Sequence, residues 1–175
     1  MSRVTSQAAE VLADTLALEE NQQYLTFTVT GELFMLGILH IKEIIEYGNI
    51  TEVPMMPEYI RGVINLRGGV VPVIDLSARF GRGKSTVSRR TCIIIVEIFG
   101  DAGKYSIGIV VDAVHGVIEI AHGDIEPSPA FGANIRSDFI AGMGNVNNAF
   151  VIILDINCVL SVEEMATLSK IGNGA

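Results

Sequence analysis

Tryptophan is absent from this sequence, cysteine occurs twice and histidine three times in 175 residues. The histidines, His40, His115 and His122, are scattered and have no Cys or carboxylate at ligand spacing, so no metal site is expected. Cys92 and Cys158 each sit in or beside an apolar run, which points to buried free thiols rather than a disulfide framework. Apolar runs such as Cys92–Val96 fall far below the ~18 residues a membrane span needs. The N-terminus has no basic stretch followed by an apolar core, so no signal peptide is expected and the location reads as cytoplasmic. Basic charge is scarce as well. Lys and Arg total 12 against 20 Asp and Glu, a net charge of −8. No basic cluster follows one predicted helix, which argues against nucleic acid as a partner. What the chain does have is 49 % apolar residues and 18 glycines, enough for a sizeable core with many tight turns.

Residues 1–22 are polar and alanine-rich, and a flexible tail is expected there, with at most a weak amphipathic helix over Ala8–Glu20. Period-two alternation then begins. Leu25, Phe27 and Val29 alternate with threonines, which marks a half-buried strand, and Leu33–Gly37 pairs back after Gly31-Glu32. Ile38–Tyr47 mixes helical spacing with β-branched residues and reads as one helical turn running into a strand. Thr51–Pro57 holds two prolines and reads as loop or edge. Val63–Leu66 and Val70–Leu76 flank Arg67-Gly68-Gly69, a hairpin turned on its glycines because tight turns need positive φ. Leu76–Phe80 reads as a helical turn and Gly81–Ser88 as a flexible basic loop. Cys92–Phe99, apolar on both faces, is a central strand; Lys104–Val111 returns after Gly100–Gly103. Val114–Ile120 is a strand with a bulge at Gly116, and Ile125–Pro129 is extended. Phe139–Val146 and Ala149–Asp155 form a hairpin turned by Asn147-Asn148. Ser161 and Glu164 have capping-box spacing and open a C-terminal helix over 161–170, with a tail at 171–175.

The hairpin repeats. Ile60, Gly62, Asn65 and Asp75 recur as Ile140, Gly142, Asn145 and Asp155, in each case 80 residues on and without a gap. Upstream, Phe27–Gly31 matches Val96–Gly100, and Leu36–Leu39 matches Ile107–Val110. The chain therefore reads as two copies of one small all-β unit, each of about five strands at barrel spacing. Neither copy buries much alone, so a shared apolar seam is expected. The barrels are placed at about 24–80 and about 90–156, with their ends free to exchange, inside one domain over 23–160.

Few residues invite chemistry. Ala78–Ser85 resembles a phosphate-binding loop, and a nucleotide-binding protein using Gly81–Ser85 is the alternative from the enzyme class. That mechanism needs the loop to open a helix whose amides face the phosphates. Only six residues separate Ser85 from Cys92, too few for a crossover of about 10–12 residues. Asp75 and Asp155 are related by the repeat and read as turn or cap residues. No nucleophile elbow and no converging carboxylates are visible, so no catalytic residue and no cofactor is expected. Two residues are left over from folding. Arg67 sits at a hairpin tip with nothing obvious to neutralise it, either a solvated turn residue or a contact for a partner. Glu43 is set among isoleucines and is either the exposed side of a strand or part of the same surface.

Tyr59–Gly68 with Val71–Leu76 closely resembles the signature of the CheW chemotaxis coupling proteins, and the resemblance runs from about Gln23 to Leu168. It includes Ile41–Ile44, Ile107–Asp112, Ile125–Pro129, Phe139–Gly144 and Ser161–Met165. It implies an all-β fold of two SH3-like five-stranded barrels around a common core, with a short C-terminal helix. It also implies a non-catalytic adaptor that links chemoreceptor cytoplasmic tips to the regulatory domain of a chemotaxis histidine kinase, recruited to membrane-associated arrays without inserting into the bilayer. A CheW-like adaptor of a non-chemotactic pathway is a further alternative. The positions matching the family's coupling residues are Ile41, Glu43, Gly62, Arg67 and Gly68, with Gly108 and Gly142 as structurally sensitive glycines. Phe131 matches a position used where adaptor and kinase domains meet, whereas Glu126 stands where some members carry a basic residue. A receptor tip is a helical hairpin, whose apolar face suits a groove lined by Val and Ile.

Overall fold

The structure, a computed structural model, describes residues 21–100, 103–127, 135–160 and Glu164. The strand expected from residue 23 starts two residues sooner, because β1 (Asn21–Val29) takes in Asn21 and Gln22. The rest of the N-terminal tail and the tail at 171–175 lie outside the described residues. So does the C-terminal helix except for Glu164, which is helical. β2 (Glu32–Gly37) pairs back on β1. A 3-10 turn (Ile38–His40) then leads into β3 (Ile41–Glu46), the helical-turn-to-strand reading of this stretch. β4 (Ile60–Leu66), β5 (Gly69–Asp75) and the four-residue α1 (Leu76–Arg79) follow. Asp75 caps α1, accepting from the Ala78 amide at 3.4 Å. β6 (Cys92–Gly100), β7 (Gly103–Val111), β8 (Ala113–Ala121), the short β9 (Ile125–Glu126), β10 (Ile140–Val146) and β11 (Ala149–Leu154) complete the order.

The strands form two sheets, β8-β1-β2-β11-β10-β9 and β3-β6-β7-β5-β4. β3–β7 thus build one unit, while β1 and β2 cross over to join β8–β11. In terms of the repeat, the first sheet joins the β1–β2 hairpin of one copy to the last four strands of the other, and the second joins the β6–β7 hairpin to β3, β4 and β5. The joints are two parallel pairings, β5 with β7 and β11 with β2, and two antiparallel ones, β3 with β6 and β1 with β8. Strands from residues 24–80 and from residues 90–156 thus occur in both sheets. Local detail repeats as well. The Asp75 amide donates to the Tyr59 carbonyl and the Asp155 amide to that of Phe139, and both β4 and β10 carry a bulge after their first residue.

The apolar pattern explains the assembly. Ile93 and Ile95 of β6 face Ile64, Val71, Val73 and Val110 inside one unit. The alternate residues Ile94, Val96 and Ile98 face the other way, onto Phe27, Phe34, Phe80 and Phe139 in a large core shared by both sheets. Tyr24, Met35, Ile120, Val151 and Ile153 form the small interior of the second unit. Each unit alone would leave its larger apolar face in water, so the shared core is what makes folding of either favourable. One thiol departs from expectation: Cys92 is half-buried, but Cys158 is exposed, because it follows Asp155 into the turn after β11.

Candidate functional site

The β4–β5 turn is not made by the two glycines. Leu66 pairs with Gly69, so the two central residues are Arg67, φ 53°, and Gly68, φ 80°. This double left-handed turn matches the twist of a hairpin. Gly adopts it freely and Asn tolerates it, and the copy at β10–β11 uses Asn147 and Asn148, φ 51° and 64°. Arginine in this conformation costs about 1 kcal/mol, an expense the copy avoids.

The Arg67 charge is also not left alone, contrary to the impression from its sequence neighbours. Its Nη2 donates to Glu43 Oε2 at 2.6 Å. Glu43, in turn, is not on the exposed side of β3. Ile44 is the exposed residue, and Glu43 lies with Ile45 toward the barrel interior, its side chain 23 % exposed against 75 % for Arg67. Glu43 Oε1 is buried and has no hydrogen-bond partner. Closure of the barrel thus brings together two candidates 24 residues apart into one charged rim with Gly68 beside it. An ion pair this exposed contributes at most about 1 kcal/mol to stability.

The remaining candidates are placed differently. Ile41 packs against the shared core and pairs with Val96. Gly62 sits at the β4 bulge with φ 145°, and a Cβ there would stand 2.1 Å from the Thr51 carbonyl oxygen. The close approach is fixed by two reciprocal 2.8 Å bonds between Thr51 and Val63, which cover the β4 edge. Gly108 and Gly142 are tight for a different reason. An added Cβ would meet Ile93 Cγ2 at 2.7 Å and Ile125 Cγ2 at 2.9 Å respectively. At all three positions an added side chain would collide with neighbouring atoms of the scaffold. Phe131 lies outside the described residues, and Glu126 is exposed on β9.

Sequence reasoning missed the polar network behind α1. Asp75, with no exposed surface, accepts from Arg61 Nε at 2.9 Å, from the Ser85 amide at 2.8 Å and from the Ser85 hydroxyl at 2.8 Å. Arg61 also donates to the Ser85 carbonyl. Arg82 donates to Glu32 at 2.6 Å and lies over the rings of Phe34 and Phe80, tying this loop to the opposite sheet. The 80-residue recurrence of Asp75 was the only sequence signal for any of it. Gly81–Ser88 is therefore a pinned loop, not a flexible one. Its likeness to a phosphate cradle ends there. Ser85 opens no helix, since residues 83–88 are irregular, and its amide and hydroxyl are already committed to a carboxylate. Arg79 donates to the Val159 carbonyl at 2.6 Å and to Glu164 at 2.8 Å. Tyr59 donates its hydroxyl to Glu164 as well. Burial and the Glu164 carboxylate push the Tyr59 hydroxyl up to about 12. Among the described residues no three His, Cys, Asp or Glu side chains gather where they could hold a metal ion. No helix there is long and apolar enough to cross a membrane.

The CheW-like domain family matches residues 23–164. The chain belongs to the CheW-like family. Among curated relatives, Chemotaxis protein CheW of Klebsiella aerogenes is 33 % identical over 150 residues, covering 86 % of this chain and 88 % of the relative. Chemotaxis protein CheW of Bacillus subtilis is 31 % identical, covering 85 % and 93 %. The crystal structure of the scaffolding protein TtCheW from Thermoanaerobacter tengcongensis superposes with a TM-score of 0.74 at 38 % identity, covering 83 % of this chain and 92 % of that one. The two-sheet, mainly β architecture is thus that of a CheW-like scaffold.

Proposed function

We propose that this chain is a chemotaxis scaffold that holds chemoreceptor cytoplasmic tips and the regulatory domain of a chemotaxis histidine kinase together, and so governs kinase activity. Its relatives are named as chemotaxis proteins and a scaffolding protein, and its own chemistry supports binding over catalysis. The observation that carries the reading is the Glu43–Arg67 rim. An arginine is kept in a turn conformation that asparagine fills more cheaply in the copy, and its carboxylate partner retains a buried oxygen without a donor. Strain of this kind concentrates at functional sites. A docking helix would present backbone carbonyls or carboxylates to the Arg67 fork and a donor to Glu43 Oε1. The protein acts in the cytoplasm, at receptor arrays, without catalysis and without a cofactor.

The test reconstitutes receptor-tip fragment, kinase and this chain, and follows kinase autophosphorylation. Omitting the chain, or supplying Arg67→Glu, should uncouple kinase activity from the receptor fragment while the variant's circular dichroism stays that of the parent. Full coupling by the variant would refute the assignment of the rim. Calorimetry with ATP separates the nucleotide-binding alternative: binding abolished by Lys84→Ala would overturn the scaffold reading.

A further inference from the structure

The loop from Gly81 to Arg90 is a charge anomaly. It carries Arg82, Lys84, Arg89 and Arg90 with no acid. The chain's net charge is −8, so removing this +4 leaves −12 for everything else. Arg82 is spent internally on Glu32. Lys84, Arg89 and Arg90 are exposed and form no ion pair among the described residues. The loop's backbone is nevertheless held at both ends. Ser85 is locked to buried Asp75. The Ser88 amide donates to the hydroxyl of buried Thr91 at 2.8 Å, and Thr91 returns a bond to the Ser88 carbonyl. Between those anchors Val87 stands 47 % exposed, an apolar residue flanked by cations.

We propose that Lys84–Arg90 is a second docking surface, for an acidic polypeptide segment that also carries apolar residues to cover Val87. A backbone that is already held loses little entropy on binding, which favours a fixed ridge over a free tail. The strongly acidic remainder of the molecule selects against broad polyanions. A membrane or duplex surface extends well beyond the loop and, within about 8–10 Å, also meets the carboxylates that repel it. A narrow acidic peptide meets only the loop. The surface is distinct from the Glu43–Arg67 rim. Arg67 precedes β5 and the loop follows it, and seven residues of strand separate the two by about 20 Å. One molecule therefore presents two independent contacts at opposite ends of a single hairpin, and the second does not rest on the assignment of the first.

The experiment titrates the full, nitrogen-15-labelled chain with a short peptide of alternating Glu and Leu and follows amide shifts at low and high salt. Shifts centred on Lys84–Arg90 are expected, with Arg67 and Gly68 unmoved, fading as salt rises. Lys84→Glu/Arg89→Glu/Arg90→Glu should weaken binding by at least about tenfold, while Arg67→Glu should bind as the parent does. If charge reversal perturbs the fold, Lys84→Gln/Arg89→Gln/Arg90→Gln is read in the same way. Shifts elsewhere on the surface, equal binding by the triple variants, or equal binding of a peptide with Gln for Glu would each overturn the proposal. Preferential binding of phosphatidylserine vesicles by the loop would overturn it too, by making the surface a lipid one.

Discussion

Replacing Gly62 with alanine should cost several kcal/mol, and the structure supplies each part of that figure. The added Cβ would lie 2.1 Å from the Thr51 carbonyl oxygen, 2.8 Å from the Thr51 carbonyl carbon and 2.9 Å from Ile50 Cγ2. Two of those three atoms are backbone, so no rotamer change relieves the contact. Either the Thr51 segment moves off, or β4 shifts. The first loses the two 2.8 Å Thr51–Val63 bonds, about 1 kcal/mol each. The second disturbs a strand whose neighbour Ile64 is buried in the barrel core. A φ of 145° adds about 1–3 kcal/mol of strain for a residue with a side chain. The total is about 3–5 kcal/mol, a large share of the ~5–15 kcal/mol of a typical domain. Urea unfolding of the full chain measures it, with Gly68→Ala as control. At Gly68 nothing lies within 4 Å, so only the conformational cost of about 1–2 kcal/mol remains. Gly142→Ala should be milder than Gly62→Ala. Its nearest contact is the side chain of Ile125 at 2.9 Å, a residue of the two-residue edge strand β9, which can yield. A Gly62→Ala protein within about 1 kcal/mol of the parent would refute the close-approach reasoning.

Asp75→Ala should destabilise by about 3–5 kcal/mol, since it leaves the Arg61 guanidinium and the buried Ser85 hydroxyl without their acceptor. Hydrogen exchange should then show loss of protection at Ser85; retained protection would count against the pinned loop. Tyr59 should titrate near 12 in an ultraviolet pH titration. Its folded pKa lies above the ordinary value of 10.0, so the folded state keeps a proton that the unfolded chain sheds. Stability is thus fully present below about pH 10 and is lost as pH rises through about 12. Tyr59→Phe should flatten that alkaline limb, and an unchanged limb would point to another group. The double reversal Glu43→Arg/Arg67→Glu should recover whatever melting temperature Arg67→Glu loses, because the pair is re-formed with opposite sense, yet it should not recover partner binding. Recovery of both would mean the rim matters only for stability.

Much of the fold was legible locally. Alternation at Leu25, Phe27 and Val29 and the two-sided apolarity of Cys92–Phe99 reported which faces are buried: Leu25, Phe27, Val29, Ile94, Val96 and Ile98 lie in the shared core, and Ile93 and Ile95 in the interior of one unit. The exchange of hairpins between units was not determined by pattern. A strand with a given alternation is equally buried against either copy, so only the full packing selects β11 as the partner of β2. The turn at Arg67-Gly68 was displaced by one residue because Gly-Gly is the stronger local signal, whereas the register Leu66↔Gly69 is set by the barrel. Arg67 and Glu43 were each singled out, but their pairing needed closure of the sheet across 24 residues. The Asp75 network stayed hidden because its donors, Arg61 and Ser85, lie 14 and 10 residues away with no periodic relation.

On the proposed function the Glu43–Arg67 rim is a contact surface and not merely a turn. Isothermal titration of a chemoreceptor cytoplasmic-tip fragment into the parent chain and into Arg67→Glu tests it most directly. Binding by the parent is expected, with a loss of about tenfold or more in the variant and both proteins equally folded by circular dichroism. Equal affinity for the two proteins would contradict it.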